Sequence, residues 1–489
     1  MSGDRLSTGI DGLDEVLNGG LVPARSYLVR GPPGTGKTIL GTHVLTAGAQ
    51  VGETALFVNL EEARTDVEQN AASLGIDLGD VAFLDMSPDA DVFTGDRSYS
   101  VLAASDVEQE PFVERVTETV ESVAPDRVFI DPITQLRHLT PDEYQFRKQA
   151  IGLMEYLTGG GATVLFTSQN TARASDEDLQ FLSDGTIDLG YTEMGHTIDV
   201  PKFRGSAVEA GHHAVEIGAD GITVYPELRP EAHAKQFEPE AISSGIPALD
   251  RLLHGGVERG TVTVISGPTG VGKTTVGTHF MKEAAGRDER SVMYLFEESG
   301  ATLRERSEAI DIPVADMEDR GTLLVEEREP LTASPQQFAQ EVRREVEENG
   351  AEIVMIDGIS GYQVSIQGGE RELTRKLHAL CRYLTNVGVT VILVDESSTL
   401  TGEFAATDSG TSYLADNILF LRHIEDRGRL RKVVGVLKKR TSDFERSLRE
   451  LEITERGITV GEPLTGLRGI LSGTPSWVDG PRDEDRREQ

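Results

Sequence analysis

Gly31-Pro32-Pro33-Gly34-Thr35-Gly36-Lys37-Thr38 and Gly267-Pro268-Thr269-Gly270-Val271-Gly272-Lys273-Thr274 each end a glycine-punctuated turn with a lysine and a hydroxyl. That spacing suits a polyphosphate. Glycines let backbone N–H groups close around phosphate oxygens, the lysine reaches the β/γ oxygens, and the hydroxyl ligates Mg²⁺. Lys37 and Lys273 lie 236 residues apart. Each is expected to neutralise a bound nucleotide. Gly34, Thr35, Gly36 and Thr38 complete the first cradle; Gly270, Val271, Gly272, Thr274 and Thr275 complete the second. ATP and Mg²⁺ are the implied ligands.

Carboxylates recur with the loops. Glu61-Glu62 and Glu297-Glu298 follow an apolar run after each motif, again 236 residues apart. One acid per site can orient and deprotonate the attacking oxygen of water or a hydroxyl. As strand residues, the two acids of a pair face opposite ways and should have different roles. Asp131 and Asp357 close later apolar runs and are expected to order the Mg²⁺ shell with Thr38 and Thr274. Lys202 and Arg204 repeat as Lys438 and Arg440 at the same offset, although only ten of the 47 bases are lysine. Residues at i and i+2 share one side of a strand. Such a pair can reach a phosphate across a subunit boundary, as an arginine finger does.

These residues must be positioned by a repeated scaffold. Thr8-Gly9-Ile10 answers Ser244-Gly245-Ile246, and Gly19-Gly20 answers Gly255-Gly256. Short apolar runs precede both loops, at 26–29 and 261–265, and recur at 56–60, 127–131 and 162–167 and at 293–296, 353–357 and 389–394. Buried runs of strand length alternating with amphipathic stretches predict an α/β fold, a mostly parallel sheet with helices on both faces. Ligands then bind at the carboxyl ends of the strands, where every motif above falls. The first half carries ten extra residues before Asp131, assigned to a surface loop in the acidic stretch 85–110. The expected domains are 1–230 and 237–465, followed by a tail, 466–489, whose charged end is expected to be disordered.

Composition narrows the class. The 489 residues carry 82 acids against 47 bases, a formal charge of −35. Such a surface disfavours a general grip on nucleic acid or an anionic membrane. It fits adaptation to high internal salt, or else a specific basic partner. Cys381 is the single cysteine, so no intrachain disulfide is possible. The start lacks an apolar signal segment. No apolar run approaches a membrane span. A cytoplasmic protein is expected.

The tandem Glu-Glu pairs, the tandem Lys-x-Arg and the stretch Ala406-Thr407-Asp408-Ser409-Gly410-Thr411-Ser412-Tyr413-Leu414-Ala415-Asp416 resemble the KaiC family of the RecA superfamily, from Leu6 to about Ser476. The resemblance implies two tandem RecA-like P-loop NTPase domains in a hexameric ring, with ATP between subunits in both tiers. It implies slow ATP hydrolysis in the first domain. The second would transfer the γ-phosphate reversibly to its own segment. Ser412 matches the phosphoacceptor and Thr407 an accessory position, while Tyr413 stands where the family has a second acceptor threonine. In this reading the second half has Asp408, Ser412 and Tyr413 where the first reads Asp184-Gly185-Thr186-Ile187. Glu62 becomes the preferred activator of water and Glu298 the preferred base for Ser412, with Glu61 and Glu297 as alternatives. The stretch Gly469 to Trp477 resembles the start of a regulatory tail, here shortened or altered. A regulatory protein partner is implied but not identified. Two other readings remain: a nucleotide-gated signalling scaffold without phosphotransfer, and a DNA-dependent ATPase of the same superfamily.

Overall fold

The computed structural model describes residues 5–87, 109–140, 142–169, 176–192, 195–230, 240–329, 333–366, 369–396, 411–426, 428–465, 467–468 and 476–477. The chain divides into two compact units, 1–227 and 228–489.

The first unit is a nine-stranded sheet in the order β3-β2-β4-β5-β1-β6-β7-β8-β9. Its strands are β1 (Ser26–Arg30), β2 (Ala55–Asn59), β3 (Ala82–Asp85), β4 (Arg127–Asp131), β5 (Thr163–Thr167), β6 (Gly185–Thr192), β7 (Gly195–Phe203), β8 (His213–Gly218) and β9 (Gly221–Tyr225). The strands from β3 to β6 run parallel, and the last three pairings are antiparallel.

The alternation of the central strands explains the layers. Val29, Phe57, Phe129 and Leu165 join one apolar cluster with Leu40, Val44 and Leu45 of the helix Lys37–Gln50. Their neighbours Leu28, Leu56, Val58, Val128, Ile130, Val164 and Phe166 join a second cluster, with Phe146, Ala150, Met154 and Leu157 of the helix Glu143–Gly159. Successive strand residues point to opposite faces. A strand buried on both faces therefore reads as a continuous apolar run.

The second unit repeats this plan. After a two-stranded ribbon, β10 (Ala241–Ile242) with β11 (Val257–Glu258), its main strands are β12 (Val262–Gly267), β13 (Arg290–Leu295), β14 (Leu323–Glu327), β15 (Ala351–Asp357), β16 (Thr390–Glu396), β17 (Asn417–Asp426), β18 (Arg429–Lys439), β19 (Arg449–Thr454) and β20 (Gly457–Pro463). Their order is β14-β13-β15-β16-β12-β17-β18-β19-β20, the same path through nine strands. The expected α/β architecture, mostly parallel with both faces covered, is thus present twice. The ten-residue excess of the first half, the acceptor stretch before Thr411 and the charged tail lie outside the described residues.

Candidate functional site

Each glycine-rich loop joins a central strand to a helix, β1 to Lys37–Gln50 and β12 to Lys273–Gly286. The residue capping each helix is a glycine with left-handed backbone, Gly36 at φ 91° and Gly272 at φ 110°. A side chain there would be strained. The turn leaves the first helical N–H groups at the loop, where an anion gains from their dipoles.

In the first unit the Lys37 ammonium folds back on its own loop, donating to the carbonyls of Gly31 at 2.9 Å and Pro32 at 3.0 Å. Burial lowers the affinity of this amine for its proton, while Asp131 and Glu61 act against that. Thr38 Oγ1 donates to Asp131 Oδ2 at 2.6 Å, and the Thr167 hydroxyl donates to the other carboxylate oxygen. Loss of water pushes the Asp131 carboxyl up, against the pull of these two bonds.

The second unit places Lys273 Nζ 3.1 Å from the Pro268 carbonyl and Thr274 Oγ1 3.2 Å from Asp357 Oδ1. Burial, helped by the fields of Glu298 and Glu297, pushes the Asp357 carboxyl up to about 7. Each site thus pairs a hydroxyl with a carboxylate beside the lysine. Among the described residues no group of three or more His, Cys, Asp or Glu side chains forms a ligand set. Mg²⁺ takes one or two protein oxygens and completes its shell with phosphate and water, so the donor set fits that ion. The side chains of Val271 and Thr275 are buried, Val271 within the apolar core, and the Val271 N–H turns back to the Pro268 carbonyl of its own loop at 3.4 Å.

The acidic pairs do not lie on strands. β2 ends at Asn59 and β13 at Leu295, so Glu61-Glu62 and Glu297-Glu298 fall on the bends beyond. Asn59 is buried and donates to the Glu62 carbonyl at 2.6 Å, which turns the chain. The two acids of each pair still diverge, but through the bend and not through strand alternation. Glu61 accepts from Gln169 Nε2 at 2.5 Å. Burial raises the Glu62 carboxyl, and the neighbouring charges of Asp131 and Glu61 raise it further. In the second unit Glu297 accepts from the Gly361 N–H at 3.2 Å, while Glu298 is held by Arg306.

Lys202 and Lys438 lie away from these loops. Lys202 donates to the carbonyls of Gln180 and Ser183, both at 2.5 Å, at the end of the helix Glu177–Leu182. Lys438 donates to the carbonyls of Ser412 at 3.0 Å and Ala415 at 2.7 Å. Arg204 faces Asp184 at 3.7 Å, and Arg440 faces Asp416 at 3.4 Å. About half of each arginine side chain is exposed, 57% and 53%.

These contacts correct one correspondence. The Asp184 N–H donates to the Ser26 carbonyl, and the Asp416 N–H to the Val262 carbonyl, both at 2.8 Å. Asp184 and Asp416 are therefore the matching pair, and Ser412-Tyr413 matches Gln180-Phe181, not the stretch 184–187. Residue identity misaligns the halves here because the segment before each aspartate differs in length. Both aromatics are exposed, Phe181 at 73% and Tyr413 at 52%.

Gln169, Thr167, Arg306 and Glu396 carried no signal in the repeat. Glu396 ends β16, accepts a hydrogen bond from the Thr269 hydroxyl, and exerts the largest attraction of the acids around Lys273. At the same place in the first unit stands Gln169. Val29 pairs with Thr167 in one sheet and Ile265 with Val394 in the other, so Gln169 and Glu396 each lie two residues beyond that pairing. The difference in identity hid the position.

Compared with known families, residues 6–229 and 242–465 each match the family described as KaiC ATPase. The circadian clock oscillator protein KaiC of Prochlorococcus marinus is 29% identical to this chain over 98% of its length and 97% of the relative's own. The protein of that name from Parasynechococcus marenigrum is 28% identical, covering 98% and 94%. That from Rippkaea orientalis is also 28% identical, covering 97% and 92%. Two copies of one nucleotide-binding fold, each with a loop lysine beside a Thr–Asp pair and two acids, coincide with the two matched spans, and the chain belongs to the KaiC ATPase family.

Proposed function

We propose that the chain is a ring-forming ATPase in which the first domain hydrolyses ATP and the second transfers a phosphoryl group to Ser412. The observation that carries this reading is the repeated cluster of loop lysine, Thr–Asp contact and acid pair, built at equivalent strand ends in both units. In the first domain Glu62 takes the proton of a water as the water oxygen attacks the γ-phosphorus. The bond from that phosphorus to the β,γ-bridging oxygen breaks, giving ADP and phosphate. The raised carboxyl of Glu62 suits this role, since a base works best with an affinity near the working pH. Mg²⁺, held through Thr38 and Asp131 or Thr274 and Asp357, would supply charge neutralisation on the phosphates.

In the second domain Ser412 Oγ replaces water as the nucleophile. Its proton passes to Glu298, with Glu297 as the alternative, and ADP leaves. Lys202, Arg204, Lys438 and Arg440 act on the nucleotide of a neighbouring subunit, and Arg204 and Arg440 are exposed enough to do so. The net charge of −35 argues against the DNA-dependent alternative. The nucleotide-gated scaffold keeps one supporting observation, the engagement of Glu298 by Arg306, which leaves the second domain without a free copy of that base.

The test is incubation of the purified protein with Mg-ATP, phosphate release, and phosphopeptide mapping by mass spectrometry. Turnover lost with Lys37→Ala, and phosphate on Ser412 lost with Lys273→Ala, is the expected result. Turnover with no phosphate between residues 407 and 413 would overturn the kinase half and leave the scaffold reading.

A further inference from the structure

The two phosphate sites differ by one exchange of contacting residues. Position 33 is proline in the first loop, and its repeat partner, position 269, is threonine. Gln169 faces the first loop's acids, donating its amide to Glu61, and Glu396 occupies the matching place in the second unit. The two changes are complementary. A threonine hydroxyl has a proton to give, and the Glu396 carboxylate accepts it. Proline offers no such donor, and a glutamine amide needs none.

The consequence is electrostatic. Lys273 is the residue aimed at the β/γ-phosphates, and Glu396 is the acid that attracts it most strongly in this site. Glu297, Asp357 and Asp395 add to the same field. Lys37 in the first site is acted on by two acids, Asp131 and Glu61. A terminal phosphate entering the second site brings further negative charge against a carboxylate tied to the loop. ADP, one phosphate shorter, brings less. Gln169 carries no charge, and its amide has a second N–H beyond the one given to Glu61, a donor suited to a γ-phosphate oxygen.

We infer that Glu396 biases the second site towards ADP over ATP, whereas Gln169 keeps the first site selective for ATP. The inference rests on the reading that both loops bind nucleotide, and adds that the two sites rank ATP and ADP differently. Product would be retained where the phosphoacceptor is, and fresh ATP would load where water is activated.

The experiment isolates each site in the full chain. A Lys37→Ala background leaves the second site, and a Lys273→Ala background leaves the first. Fluorescent ADP and a fluorescent non-hydrolysable ATP analogue are titrated with Mg²⁺. Glu396→Gln is expected to raise the ATP-to-ADP affinity ratio of the second site about tenfold, the scale of one relieved like-charge contact. Gln169→Glu is expected to lower the ratio of the first site by a similar factor. The second substitution keeps the test open should the first disturb folding. If ADP binds and both ratios stay within about twofold, or move the other way, the assignment of Glu396 is overturned while the nucleotide sites stand. If ADP binds at neither loop, the reading of the loops falls and the inference falls with it.

Discussion

Arg306 grips Glu298 with both terminal nitrogens, Nη2 to Oε1 at 2.7 Å and Nη1 to Oε2 at 2.8 Å. The repeat position in the first unit is Asn70, which carries no charge. A carboxylate held at both oxygens is a poorer proton acceptor than a free one. In the Lys37→Ala background, Arg306→Ala should therefore raise water-dependent phosphate release from the second domain. The arginine side chain is 40% exposed, so solvent weakens the pair, and the expected gain is roughly two- to fivefold. Unchanged or slower release would show that Arg306 positions Glu298 and does not restrain it.

Glu61 and Glu62 should separate in the Lys273→Ala background. Glu62→Gln removes the proposed proton acceptor and is expected to cut turnover by about 10²- to 10⁴-fold with nucleotide affinity retained. Glu61 is committed to Gln169, so Glu61→Gln should cost less. Phosphate release and nucleotide binding measured side by side check this. The reverse order would move the role of base to Glu61.

Lys202 and Arg204 can be tested by mixing. One preparation carries Lys37→Ala, the other Lys202→Ala with Arg204→Ala, both in the Lys273→Ala background. If the cations serve a neighbour, each preparation alone is slow. A mixture of equal parts, assembled together, should then recover about a quarter of parental turnover, the statistical share of complementary interfaces in a closed ring. A mixture no faster than the mean of its parts would confine the cations to their own subunit.

His279 should cost the second unit stability as acid is added, opposing the gain from the raised Asp357 carboxyl. His279 is buried, and its Nε2 meets no hydrogen-bond partner among the described residues. Burial, with the nearby charge of Lys282, lowers its proton affinity from about 6.5 to about 4. Above the unfolded value both states are neutral there, and the full stability is present. As pH falls from about 6.5 to about 4 the unfolded chain binds the proton first, and stability on the order of 3 kcal/mol is lost. His43, the repeat partner, accepts a hydrogen bond from the Ile222 N–H at 3.1 Å. Calorimetry of the wild type and His279→Gln across this range checks the assignment. Relative to the wild type, the variant should gain stability as pH falls from about 6.5 to about 4, and an identical slope in both would overturn the assignment to His279.

Local chemistry decided what could be read without coordinates. The loops and their lysines were legible because a tight phosphate cradle admits few residue types, as Gly36 and Gly272 illustrate. The strands were legible because Phe57, Phe129 and Leu165 and their neighbours are buried on both faces. The bend after β2 was not, because it depends on Asn59 reaching forward to Glu62. Gln169 and Glu396 were invisible to a search for repetition because their identities differ. The equivalence of Ser412 with Gln180 emerged only from the hydrogen bonds that fix Asp184 and Asp416 to their strands.

Lys438 holds the carbonyls of Ser412 and Ala415, and Arg440 pairs with Asp416 just beyond. The acceptor position and the cations are therefore joined through the short stretch 412–416. A displacement of residue 412, however it arises, reaches the side chain of Lys438 through a single hydrogen bond within the same chain. The segment proposed to carry the phosphate and the lysine proposed to act on a neighbour thus touch directly, and a shift of one changes the contacts of the other.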